Sequence, residues 1–296
     1  MADDMNALLA QRPPDPPRSQ VRRGRLVLRR FRRHRLAMAG VVALAVLVLA
    51  VLIVPLWWPH DYGDASFPPF VPPNAEFPLG TNKIGLDMLA QIVRGTQLSL
   101  LIAVTVSIVA TTLGVALGSL AGYRRGFTDA AVSRLTDLFL IVPQIAVAAI
   151  LVKVFDGSWF TVALILSAFY WTQSARITRG EAMSLAQREF VESARAAGAG
   201  TARIITRHLL PNMTGTIAVN ATLAVAQAVL LEAGLSFVGL GVQLPDTSLG
   251  RIIFDNYTQF SGRPWLFFWP FGVLVLISLA LNFIGDGLRD AFDART

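Results

Sequence analysis

Long uncharged runs of apolar residues dominate this chain, and most are too long and too evenly apolar for a soluble domain. About 20 apolar residues in a helix cross a hydrocarbon core about 30 Å thick. The first run, Leu36 to Trp58, carries no charge. Further spans are predicted over about Leu98–Gly122, Thr136–Phe155, Trp159–Ala175, Met213–Ala233 and Pro264–Gly287. Pro143 falls inside the third and is expected to bend it. The fourth is short. Between these runs the pattern changes. Pro59 to about Gln97 is long and proline-rich, and Gly234 to Arg263 is glycine-bearing and loop-like. The stretch from about Thr172 to Asn212 is charged, amphipathic and helix-forming. Residues 1–20 contain Pro13, Pro14, Pro16 and Pro17 without apolar periodicity, which predicts a disordered tail.

Composition agrees. Of 296 residues, 54% are hydrophobic and 15% charged, with a mean hydropathy of +0.54. A soluble monomer so composed would expose large apolar patches. There is no cysteine, so disulfides, thiolate metal sites and a cysteine nucleophile are excluded. The three histidines, His34, His60 and His208, are far apart and form no HExxH-type pair.

Charge sets the expected orientation. With the amino terminus inside, 21 of the 26 basic residues lie on inside segments and five outside. The positive-inside rule then places both termini in the cytoplasm, and six spans give the same parity. Nine of the basic residues fall between Arg18 and Arg35, directly before the first span. Such a run suits a juxtamembrane anchor facing anionic lipid, and the nucleic-acid reading is set aside. A signal peptide fits poorly, since Trp57-Trp58-Pro59-His60 is no small-residue cleavage site.

Several positions invite a closer reading. Gly114, Gly118 and Gly122 stand four apart, so another helix can approach closely. Packing within one subunit is the favoured reading, ahead of a specific dimer seam. Polar span residues Thr105, Thr111, Thr112, Gln144, Gln173, Asn220 and Gln227 are candidates for lining a translocation path, with interhelical hydrogen bonding as the plainer role. Glu232, Asp286 and Asp137 read as structural charges at span ends. In the long inside segment, a helix is expected up to Ala197, a turn at Gly198, a short helix from about Thr201 and a new helix near Pro211. Neither Lys83 nor Lys153 has the Walker A surroundings that would hold phosphates.

That inside segment, Glu192-Ser193-Ala194-Arg195-Ala196-Ala197-Gly198, nine residues, then His208-Leu209-Leu210-Pro211, resembles the EAA loop of permease subunits of ATP-binding-cassette importers. Glu192, Ala194, Gly198, Leu210 and Pro211 match its pattern. Three other segments resemble the dipeptide/oligopeptide/nickel branch, and its second, C-type permease. They are Phe77-Pro78-Leu79-Gly80-Thr81-Asn82-Lys83-Ile84-Gly85-Leu86-Asp87, Gly234 to Pro245, and Asn282 to Asp290. Phe77, Asn82 and Leu86 depart from the family's His, Asp and Arg.

The resemblance implies an all-α membrane protein with six transmembrane helices and a cytoplasmic tail over 1–35. A permease domain over 36–293 would carry the coupling helix, within 189–200, between spans four and five. It also implies partners: a homologous second permease, two ATP-binding subunits carrying ATP and magnesium, and a solute-binding protein delivering peptides. No cofactor, metal, catalytic residue or nucleic acid is expected for this chain. The cargo, dipeptide, oligopeptide, nickel chelate or haem, is left open. The rival from another class is a self-sufficient secondary transporter, which predicts inverted repeats and mid-membrane charges. Neither is evident.

Overall fold

The computed structural model describes residues 20–293, and side chains from Arg25 onward. The expectation of a disordered tail over 1–20 lies outside this range except for Gln20, which begins a helix. The described part contains no strand. In chain order the helices are α1 (Gln20–Arg33), α2 (Arg35–Trp57), α3 (Met88–Arg124), α4 (Gly126–Ile141) and α5 (Gln144–Val154). They continue with α6 (Trp159–Leu185), α7 (Glu189–Ala196), α8 (Thr201–Ile204), α9 (Leu210–Phe237), α10 (Leu249–Asn256) and α11 (Trp265–Phe292).

Helices α2, α3, α11 and the continuous stretch Thr201–Phe237 are each long and apolar enough to cross a membrane. Helices α4 and α5 qualify only as a pair, bent by 84°. The third expected span is therefore divided between two helices. Pro143 has no N–H to continue the ladder, and Val142 before it is extended, as proline demands of its predecessor. The fourth expected span falls within α6, which runs on to Leu185, takes up Arg176, Arg179 and Glu181, and is not among the helices long and apolar enough to cross a membrane.

Other boundaries differ for local reasons. Helix α3 starts ten residues before Leu98 because Asp87 caps it, its carboxylate accepting the Leu89 N–H at 2.8 Å. At 37 residues α3 is about 55 Å long and outreaches the hydrocarbon layer. The segment expected to be loop-like after Gly234 contains α10, capped by Ser248, whose hydroxyl accepts the Arg251 N–H. Helix α6 is capped by Ser158. Beside it, hydrogen bonds from the Thr161 hydroxyl and the Ser158 amide hold the Asp156 carboxyl below the ordinary carboxylate range.

Helix α3 is the hub, and its interface with α6 is the largest in the molecule. Gly114, Gly118 and Gly122 form that seam within the subunit. A Cβ on Gly118 would lie 2.4 Å from the Ala175 carbonyl oxygen, and one on Gly122 would lie 2.5 Å from that of Arg179. The backbones are close enough for the Thr178 hydroxyl to donate to the Gly114 carbonyl at 3.1 Å.

The Pro59–Asp87 segment is folded back on itself. Asp87 is fully buried and accepts hydrogen bonds from Trp58 Nε1 at 2.6 Å, while His60 Nδ1 lies 2.8 Å from the same oxygen. Phe77 stacks on His60, with ring centroids 5.0 Å apart. Asn82 Oδ1 accepts the Ile84 and Leu86 amides. Two of the departures from the family pattern thus fill structural places here.

Glu232 was read as a charge at a span end. It is instead fully buried, joining three helices. Ser99 of α3 and Ser236 of α9 donate to its two oxygens at 2.9 and 2.7 Å, and Ser99 Oγ in turn accepts the first amide of α10 from Leu249. Glu232→Ala leaves both hydroxyls without their acceptor inside the core, at about 1–3 kcal/mol each. A fall of several degrees in the thermal midpoint of the purified protein is expected, with Glu232→Gln milder because it keeps the shape and one acceptor oxygen.

Candidate functional site

The segment between α6 and α9 is a small folded unit. Helix α7 buries one residue, Val191, which enters an apolar cluster with Ala182 of α6, Ile204 of α8, Leu209 just before α9 and Met213 in its first turn. The side opposite Val191 is bare. Glu189, Phe190, Glu192, Ser193 and Arg195 are exposed. Arg195, one turn on from Val191 and on the same face, has its guanidinium 5.6 Å from the Tyr123 ring centre at the end of α3.

Gly198 ends this helix in the left-handed region, at φ +82°. Its N–H donates to the Arg195 carbonyl at 3.0 Å and that of Ala199 to the Ala194 carbonyl at 3.0 Å. These two bonds make a Schellman cap, and Ala199 supplies its apolar contact against the Val191 cluster. The turn expected at Gly198 is present.

The α-helix expected near Pro211 begins at Leu210, with Pro211 in its first turn, but it follows on from α8 without a break. Residues 201–237 run continuously, with a π-turn over Ile205–Leu209 in place of a break. Pro211 has no N–H for the carbonyl four residues back, at Arg207, so the ladder widens instead of stopping. Of the five motif residues, Glu192 and Gly198 are exposed, and Ala194, Leu210 and Pro211 are half-buried. The residues that fix the loop in place, Val191 and Leu209, are both fully buried, and neither was singled out in the sequence. Val191 could have been found as the lone large aliphatic of a polar helix. Leu209 is not separable from Leu210 by sequence.

The seven candidate path residues do not form one set. Asn220 donates from Nδ2 to Ser174 Oγ at 2.6 Å, tying α9 to α6. Asn220 and Gln227 share a face of α9 with Leu231, by their spacing of seven and four. Leu231 meets Gln144, Leu166 and Tyr170 around a small cavity, and Gln173 lies on the Leu166–Tyr170 face of α6. The four amide residues thus occupy one side of the subunit. Gln173 and Gln227 are exposed there. Thr111 is buried. Thr105 and Thr112 lie on the α3 stripe of Leu101 and Ile108, beside an apolar groove of about 640 Å³ against α2. Among the described residues, no three His, Cys, Asp or Glu side chains converge to hold a metal ion.

Long apolar helices around a central hub, with an amphipathic loop presenting one bare helix, define a polytopic membrane protein. A solved structure described as an inward-facing conformation of the MetNI methionine ABC transporter shares the fold. Its TM-score is 0.57 at 21% identity, over 70% of this chain and 98% of that one.

The chain belongs to the family of binding-protein-dependent transport system inner membrane components, whose pattern matches residues 114–296. Residues 23–73 match the N-terminal TM domain of oligopeptide transport permease C. The oligopeptide transport system permease protein OppC of Mycobacterium tuberculosis is 41% identical over 271 residues, covering 90% of this chain and 93% of that protein. The OppC of Bacillus subtilis is 33% identical over 267 residues, covering 90% and 88%.

Proposed function

We propose that this chain is one of two membrane subunits of an ATP-driven importer, forming half of a path for di- or oligopeptides delivered by an extracytoplasmic solute-binding protein. Six spans are proposed, α2, α3, the α4–α5 pair, α6, α9 and α11, with both termini in the cytoplasm. Residues 1–35 form a basic tail ahead of a permease domain over 36–293. The bare side of α7 carries this reading. A short helix pinned by one buried valine, yet presenting Glu189, Phe190 and Glu192 outward, suits a groove on another protein.

The proposed mechanism follows from that placement. Two ATP-binding subunits hold ATP and magnesium, and this chain makes and breaks no bond. When they close, a helix seated in one of them moves with it. The Val191 cluster joins α7 to α6 and α9, so the displacement passes into two spans. Glu192, Ala194 and Gly198 shape the contact, and Leu210 and Pro211 join it to α9. A homologous second permease would face the amide-bearing side. Exposure of Gln173 and Gln227 in one chain suits a path closed by two, with Gln144 and Asn220 beside them. Thr105, Thr111 and Thr112 are assigned to it only by their polarity.

Purification from native membranes tests the proposal: ATP-binding subunits should accompany the chain, and a loaded binding protein should stimulate their hydrolysis. Reporter fusions should place Ala75 and Pro245 outside, and Gln20 and Arg195 inside. Peptide uptake by the purified chain alone, driven by an ion gradient, would instead indicate a secondary transporter.

A further inference from the structure

The amino-terminal helix is folded onto the membrane domain in a specific way. His34 is the only non-helical residue between α1 and α2, and its Nδ1 caps α2 by accepting the Ala37 N–H at 3.1 Å. Its extended backbone turns α1 away from the line of α2 and onto the end of α11. There Phe31 packs beside Gly287, Arg30 Nη1 donates to the Asp293 carbonyl at 2.9 Å, and His34 Nε2 lies 3.4 Å from Asp290. The helix is thus held at the end of two spans, at the level where Leu36 begins the apolar run.

The outward side of α1 is strongly basic. Arg25, Arg29 and Arg32 follow one another at spacings of four and three, which puts them on one stripe. Arg33 and Arg35 adjoin it. All five are exposed, and none has a carboxylate partner among the described residues. Leu26 and Leu28, at 55% and 54% exposure, flank the stripe on either side, and Leu36 is exposed just beyond the bend. Isolated guanidinium groups flanked by exposed leucines at a span's edge match the interface, where phosphate and acyl chain meet. Arginine's planar fork also suits phosphate oxygens.

We propose that α1 is a binding surface for anionic phospholipid headgroups, with Arg25, Arg29 and Arg32 contacting the phosphates and Leu26 and Leu28 seated among the upper acyl chains. The surface is separate from α7 and independent of the coupling role proposed for it. A basic residue near an anionic membrane contributes about 1 kcal/mol, or about fivefold in occupancy.

The test uses the full complex in vesicles of phosphatidylcholine containing a minor fraction of phosphatidylglycerol, and reads enrichment of spin-labelled phosphatidylglycerol in the protein's motionally restricted lipid shell. The intact complex should enrich it several-fold, and added salt should weaken the enrichment. The triple variant Arg25→Gln, Arg29→Gln, Arg32→Gln should lose most of it, whereas the triple lysine variant should keep most. Both replacements are good helix formers at exposed sites, so α1 should persist. Equal enrichment by the intact complex and the glutamine variant would overturn the proposal. So would a glutamine variant that sheds its ATP-binding subunits with enrichment unchanged, because the arginines would then serve a protein partner.

Discussion

Gly198→Val is expected to leave the subunit inserted and assembled while transport falls by roughly an order of magnitude. Gly198 sits at φ +82° with nothing within 4 Å of where a Cβ would lie, so the obstacle to valine is conformational, not a clash. A left-handed backbone costs a residue with a Cβ about 1–2 kcal/mol, and a β-branched one more. That energy falls on the Schellman cap, which sets the angle between α7 and α8. A shift of this size lowers the population of the docking-competent loop by roughly 5- to 30-fold. The packing between the spans lies away from Gly198, which meets the membrane helices only through the Val191 cluster at their ends. Gly198→Asn should do less harm, because asparagine tolerates the left-handed region.

Glu192→Arg should act in the same direction by another route, reversing an exposed charge on the bare face of α7. The measurement is transport together with ATPase stimulation by loaded binding protein, in proteoliposomes holding the complete complex. If both variants assemble and transport at the unmodified rate, the coupling role of this loop is wrong.

A larger loss of folded protein is expected from Gly118→Leu. Its Cβ alone would sit 2.4 Å from the Ala175 carbonyl oxygen and 3.0 Å from that residue's Cα. Backbone cannot rotate aside as a side chain can, so α3 and α6 must separate. Overpacking a core ordinarily costs about 1–3 kcal/mol, and this site should exceed that because the seam is backbone on backbone. Separation also breaks the bond from Thr178 to the Gly114 carbonyl. Steady-state amounts in the membrane should fall several-fold or more through quality control. Gly180→Leu is the control. It lies on α6 with nothing within 4 Å of an added Cβ, and should accumulate normally. Equal amounts of the two variants would refute the tight-seam argument.

These two glycines show how legibility divides. Gly118 belongs to a four-residue spacing that is visible in the sequence, but spacing alone does not say which helix fills the groove. Gly198 follows a run of helix formers before two more small residues, so its turn was readable from chemistry local to a few residues. Asp87 and Ser248 are caps of the same local kind, each a polar side chain accepting an amide from the first turn of its helix. Glu232 was not readable: a carboxylate near a span end looks the same whether it meets water or three hydroxyls.

What the sequence determined by itself is what depends on local composition and short spacing. The apolar runs dictate membrane helices, the basic run before Leu36 marks one end, and the motif from Glu192 to Pro211 locates the amphipathic loop. The tertiary structure decided everything that depends on residues far apart in the chain. It set the choice of Val191 and Leu209 as anchors, and the separation of the amide residues from the threonines. It also folded α1 onto α11. The physical reason is that hydrophobicity and capping are properties of a residue and its near neighbours. Which groups meet across a helix pair is fixed only when all the backbones have been packed together.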